Sequence, residues 1–344
     1  MENNRTSHII GAGIAGLFAA KLIKEKHPLS TVLIYEAAEK IGGRCGSFFD
    51  SEHNCMYDNA THVILNCNRQ TKKLINSLLF KHTLCFWDFK KKTFISKLCC
   101  IKEIILAIFN TAKPNFSALL YVIRHLLHPY QLKAYFSTGD LSNLLCDPLL
   151  IYANDIKYGY VWQGVEINQN RITKLRFNKE TITIDVGDMV ISAIDSYHYN
   201  KIVGGYDFDY NAITNIFYRT SMALTFPQNK KMFGLKNALS QWIFSTPNYT
   251  AVTISNSPEK IDSRSIWQEI CCIRNYNSAF EPYTRIQYFP YATIRQDKKN
   301  NAKRPTDAQT AYNNLLICGD WTMKNRPCCI ETAIQSALRL LKYL

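Results

Sequence analysis

Apolar positions along this chain follow two periods, and the places where one gives way to the other mark its elements. Ser7-His8-Ile9-Ile10 is a short apolar run of the strand type, residues 17–26 continue with apolar positions at helical spacing, and residues 31–35 form a second strand. From Ile101 the positions 101, 104, 105, 108 and 109 keep helical spacing, as do 116, 119, 120, 123, 126, 127 and 130, with Pro114 between the two sets. These predict two amphipathic helices that form a cap. Alternation over 165–167 and 172–177, then over 181–185 beyond a polar turn, predicts hairpin strands leading to a buried strand at 189–193. Residues 315–318 read as another buried strand, Gly319-Asp320 as a turn, and Pro327 precedes a final helix. Strands alternating with helices in this way predict an α/β architecture without internal repeats.

A chain of 344 residues has room for about two domains and a core deep enough to enclose a ligand. Its 47% apolar and 20% charged residues exclude disordered and fibrous classes. No apolar run reaches the roughly 20 residues of a membrane span, since the best stretch, 98–109, is broken by Lys102 and Glu103. The apolar stretch at 9–20 is punctuated by Gly11, Gly13 and Gly16 and ends in no cleavage site, so a cytoplasmic location is expected rather than secretion. Twelve cysteines without any C-x-x-C spacing argue against zinc or thioredoxin-type chemistry and for buried free thiols.

The net charge of +14 comes from scattered residues. Lys90-Lys91-Lys92 and the group Lys298, Lys299, Lys303 and Arg304 read as solvated polar loops, the second a mobile one. No basic run interleaved with aromatics suggests nucleic acid as a partner. A basic rim beside amphipathic cap helices is instead a candidate for peripheral contact with anionic lipid at the inner membrane surface.

Chemistry begins at Gly11-Ala12-Gly13-Ile14-Ala15-Gly16, placed between the first strand and the first helix. Gly11 permits the tight turn, Gly13 lets backbone approach a pyrophosphate, and Gly16 allows close helix packing, while the N–H groups of Ile14 and Ala15 face the phosphates. Glu36 ends the second strand, where a carboxylate meets a ribose hydroxyl pair. Gly42-Gly43-Arg44 extends the phosphate surface, with Arg44 as a charge-assisted fork.

This compound signature resembles the flavin-dependent amine oxidase and polyene desaturase superfamily, which makes FAD the expected cofactor. Tyr57-Asp58-Asn59-Ala60-Thr61-His62 resembles the Asp-Asn-Gly-Gln-His segment of its hydroxysqualene dehydroxylase branch, matching at Asp58, Asn59 and His62 and departing at Ala60 and Thr61. Asp140-Leu141-Ser142 with Asp147-Pro148 resembles a stretch before the adenine-side strand, which implies Val165 as the backbone contact to adenine. Gln241-Trp242 resembles a strand of the substrate domain. Residues 314–322 and 329–336, including Gly319, Asp320 and Ile330, resemble the closing flavin motif, with Thr332 in place of a usual glycine. The last helix would then point its N-terminus at the anionic flavin pyrimidine.

The resemblance implies a Rossmann-type, GR2-like FAD-binding domain in three pieces, residues 1–66, 140–205 and 306–344. An inserted α+β substrate domain occupies 67–139 and 206–305. The implied reaction is reductive dehydroxylation of hydroxysqualene, an apolar isoprenoid, with an unidentified electron donor. His62 is the candidate general acid, or else a histidine that only hydrogen-bonds flavin or backbone. Trp242 and Trp321 are candidate pocket residues whose faces stabilise a cation. A polyene desaturase or amine oxidase on the same scaffold remains open, as does a degenerate flavoprotein without catalysis; no metal cluster stands out.

Overall fold

Glycine-turn sequence and strand periodicity translate directly into the first sheet. In the computed structural model, which describes residues 5–75, 80–126, 133–136, 140–220, 223–276 and 280–344, the strand Thr6–Ile10 runs through the turn into the helix Ile14–Lys26 and on to the strand Thr31–Glu36. These strands pair in parallel; Asp155–Tyr158 flanks Thr31–Glu36, and Met189–Ser192 then Leu315–Ile317 extend the other side. One face is covered by the helices Ile14–Lys26 and Ile330–Leu338, which bury Leu17, Ile23 and Ile334 against Ile9, Ile34 and Ile191. The other is covered by the hairpin strands Trp162–Asn168 and Arg171–Phe177, through Trp162, Ile172 and Leu175. Burial on both faces explains why these strands read as apolar runs rather than as alternation. Gly16 is obligatory there, because a Cβ would overlap the Gly11 carbonyl oxygen.

A second, seven-stranded sheet has the order Thr284–Ile294, Tyr210–Arg219, Tyr249–Ser255, Trp242–Ser245, Met232–Lys236, Phe86–Asp88, Thr93–Ile95. It is antiparallel except where Met232–Lys236 meets Phe86–Asp88. Side chains alternate between its faces. Ile216, Tyr218, Ile243 and Val252 pack under the helix Ser263–Ile273, while Asn215 and Phe217 turn to the opposite side.

The two cap helices form at Ile101–Phe109 and Phe116–Leu126 and interlock through Phe109, Ala118 and Val122. Predicted positions 127 and 130 lie outside the described residues. Leu98, Ile101, Phe116, Leu120 and Ile123 remain exposed on their outer side. Among the described residues no helix is long and apolar enough to cross a membrane, and all twelve cysteines are free.

The expectation of a mobile loop at 298–304 is corrected. Asp297 accepts from the Asn300 N–H at 2.8 Å and starts the helix Lys298–Lys303, and Arg304 is 2% exposed. Charge pattern alone missed this because an Asx cap and a buried guanidinium look the same in sequence as solvated polar residues.

Candidate functional site

Parallel sheets bind ligands beyond the C-terminal ends of their strands. Here Gly11, Ala37, Ala193 and Gly319, each just past such an end, all line one cavity of about 710 Å³. Gly13, Ile14 and Ala15 present the start of the first helix to it, with no side chain capping that terminus. Gly42 and Gly43 lie alongside, Gly42 at φ 100° with its N–H donating to the Ala12 carbonyl at 2.9 Å. A Cβ built on Gly13 would meet nothing within 4 Å. Glu36 accepts from the Ala12 N–H at 2.7 Å and the Ala38 N–H at 2.9 Å, which aims its carboxylate while leaving lone pairs unused.

The C-terminal motif closes the same cavity. Gly319 sits at φ 136°, and its N–H donates to Ser336 Oγ at 2.7 Å. Buried Asp320 receives a bidentate fork from Arg44, at 2.9 and 2.8 Å, and Arg44 also donates to the Ala292 carbonyl at 2.8 Å. The Asp320 carboxylate raises the Arg44 pKa further above its already high value. The fork predicted for a pyrophosphate is therefore spent on a carboxylate 276 positions away, which braces the two glycine motifs against each other. The last helix begins at Cys329 and Ile330, again without a side-chain cap, and Ile330 and Thr332 face the cavity.

Several expected contacts change. Asn59 is not on the cavity wall; its side chain donates to the Gly43 carbonyl at 2.8 Å and fixes that turn. Asp58, its matching neighbour, accepts from the Leu141 N–H at 2.8 Å and Ser47 Oγ at 2.7 Å, so two motifs distant in sequence are joined. Val165 packs among the hairpin residues away from the cavity; Tyr160, Val161 and Trp162 line that end instead. Trp242 borders the cavity, whereas Trp321 is 2% exposed, meets Tyr199 at a tilt and Tyr206 edge-on, and donates to the Ile194 carbonyl at 2.9 Å. Trp321 is a packing residue because its indole N–H is satisfied inside the aromatic cluster.

His62 lines the cavity with Nε2 3.2 Å from the Arg44 carbonyl. Burial pushes its pKa from 6.5 down to about 4. The lowered pKa leaves the imidazole mostly neutral near pH 7, which favours the backbone-bonded alternative over a general acid. The unfolded chain binds this proton below about pH 6.5 and the folded chain only below about 4, so His62 lowers stability as pH falls through that window. A ring chemical-shift titration is expected to give a midpoint near 4; a midpoint near 6.5 would restore the acid role.

Ile104, Ile108 and Val122 from the cap and Ile213, Phe244 and Phe289 from the second sheet add a largely apolar lining, with Asn215, Thr253 and Ser255 among them. Sequence reading missed Val161, the Asp195–His198 pair on the same wall (Nδ1 to Oδ2 2.7 Å), and Asn215. Asp195 carries a readable signal, an N-cap two and three residues before the N–H groups it accepts; the others have none.

Comparison with known proteins agrees with this geometry. Residues 9–78 match the NAD(P)-binding Rossmann-like domain family. Hydroxysqualene dehydroxylase of Rhodopseudomonas palustris is 24% identical over 98% of this chain and 97% of its own length. Its counterpart from Zymomonas mobilis is 26% identical over 96% of each. The chain is similar along nearly its whole length to these hydroxysqualene dehydroxylases. Both alignments, of 413 and 410 positions, exceed the 344 residues here, so the relatives carry segments this chain lacks. Among solved structures, an oxidoreductase from Methanosarcina mazei superposes with a TM-score of 0.74 at 11% identity, covering 98% of this chain and all of its own, which supports the Rossmann-type α/β fold.

Proposed function

We propose that this chain is an FAD-dependent oxidoreductase that replaces the hydroxyl of hydroxysqualene with hydrogen. The observation carrying the reading is one cavity onto which two uncapped helix N-termini open at one end and apolar side chains at the other. A dinucleotide with a pyrophosphate and a ring that becomes anionic on reduction matches the first end, and a long hydrocarbon matches the second. The residues fit FAD: Gly13 leaves open space where a Cβ would crowd phosphate, Glu36 has spare acceptors for ribose, and Val161 flanks the adenine end.

Bound there, FAD supplies the redox chemistry. The net change consumes two electrons and two protons and releases water, the electrons coming from a separate reductant. The chain's own part is to exclude water with its apolar lining and to hold the substrate. Trp242 offers an aromatic face where positive charge develops as the hydroxyl departs. The outer cap face supports substrate delivery from anionic lipid: exposed Leu98, Ile101, Phe116 and Ile123 lie on the same two helices as, or near, the exposed Lys102, Lys113 and Arg124, each cation contributing on the order of 1 kcal/mol at such a surface.

Anaerobic incubation of the flavin-loaded protein with reduced flavin and hydroxysqualene, supplied in anionic vesicles, is expected to yield squalene. Absence of squalene together with flavin reduction by an amine would overturn this choice in favour of an amine oxidase. Protein that takes up no FAD would defeat every enzymatic version.

A further inference from the structure

The apolar half of the cavity holds a polar side chain with unused hydrogen-bonding capacity. Asn215 is 1% exposed and lies mid-strand on the cavity wall. Its Oδ1 accepts from the Thr253 hydroxyl at 2.8 Å across the neighbouring strand. That bond orients the amide, and Nδ2 is left buried without a partner. On the other flanking strand the residue opposite is Gln287, whose Oε1 is also buried and unpartnered. Directly opposed residues of an antiparallel pair share one face of the sheet, but of the two only Asn215 lines the cavity, so its Nδ2 is the donor a ligand there can meet.

Buried polar groups are nearly always satisfied, and one left unpaired on a cavity wall calls for an explanation. A hydroxyl complements this donor, since its oxygen accepts. We propose that Asn215, oriented by Thr253, anchors a hydroxyl on an otherwise apolar substrate by donating from Nδ2 to the hydroxyl oxygen. The apolar character of that substrate rests on the function proposed above. Discrimination follows from the same geometry: an alcohol satisfies the Asn215 amide, whereas the corresponding hydrocarbon leaves it unpaired. A product that has lost its hydroxyl loses its anchor, which favours release.

Titration of the flavin-loaded protein with hydroxysqualene and with squalene, followed through the bound flavin's visible spectrum, tests the anchor without turnover. The wild type is expected to bind the alcohol about tenfold more tightly than the hydrocarbon. Asn215→Leu should lose that preference and bind squalene no worse, while any fall in melting temperature from the Thr253 hydroxyl it leaves unpaired should not depend on which ligand is present. Thr253→Val, which leaves the cavity's shape nearly unchanged, should shrink the preference to a few-fold and carries the test if Asn215→Leu does not fold. A merely structural Asn215 would instead weaken both ligands alike. Equal binding of the two ligands by the wild type, or a preference that survives in the variants, overturns the anchor. If squalene never forms yet the preference depends on Asn215, the anchor stands and the reaction reading falls; if squalene forms while the preference ignores Asn215, the reverse holds.

Discussion

Gly13→Asp is expected to give a folded protein that no longer retains flavin. Gly13 is the N-cap of the first helix with φ −74° and ψ 175°, a conformation any residue adopts, and a side chain there meets open space. Aspartate is among the best N-cap residues, so the helix itself should gain rather than lose stability. The same carboxylate takes up the free N–H groups of the first turn and puts a negative charge where the pyrophosphate is proposed to lie. A like charge at contact distance near a protein surface opposes binding by a few kcal/mol, so FAD affinity should fall by about 10²–10³-fold. Gly16→Val is the contrasting variant, since its Cβ overlaps the Gly11 carbonyl and the fold itself should fail. Melting temperature and visible absorption, measured on both, separate the effects. Unchanged FAD affinity in Gly13→Asp would move the phosphate site elsewhere.

That contrast shows what was legible in sequence. Roles fixed by local backbone, such as Gly11, Gly13, Gly16 and the acid closing the second strand, can be read because strand, turn and helix are contiguous. The parallel sheet followed, since strands of its type are apolar throughout. Roles fixed by partners far along the chain could not be read. Arg44 was legible as a site residue, yet its engagement with Asp320 depends on how two distant motifs meet. Val165 was misplaced because period-two alternation does not say which end of a hairpin strand reaches the cavity, and this strand also shifts register between Trp162 and Gly164. Asn215 carried no signal, because an unpaired amide is a property of its three-strand surroundings.

Arg304→Met is expected to be strongly destabilising. Arg304 is one of 41 basic residues and looked like a solvated one, but its guanidinium is buried and donates to the carbonyls of Trp321 at 2.9 Å and Arg326 at 2.7 Å and to that of Asp320. It is the hub of the turn after the last strand, and methionine would leave those carbonyls buried without donors. At about 1–3 kcal/mol for each unsatisfied group, partly relieved by relaxation, the total loss should reach about 3–5 kcal/mol. Lysine should recover only part of this, since one ammonium cannot reproduce a planar fork reaching three separate acceptors. The turn also carries Asp320, which holds Arg44 and through it the glycine turn at 42–43. Loss of Arg304 should therefore lower flavin retention as well, although the residue does not border the cavity. Denaturant midpoints with an unchanged slope would report the stability term. A shift worth less than about 1 kcal/mol would show that water or relaxed backbone satisfies those carbonyls, and that the turn holds its shape without the arginine.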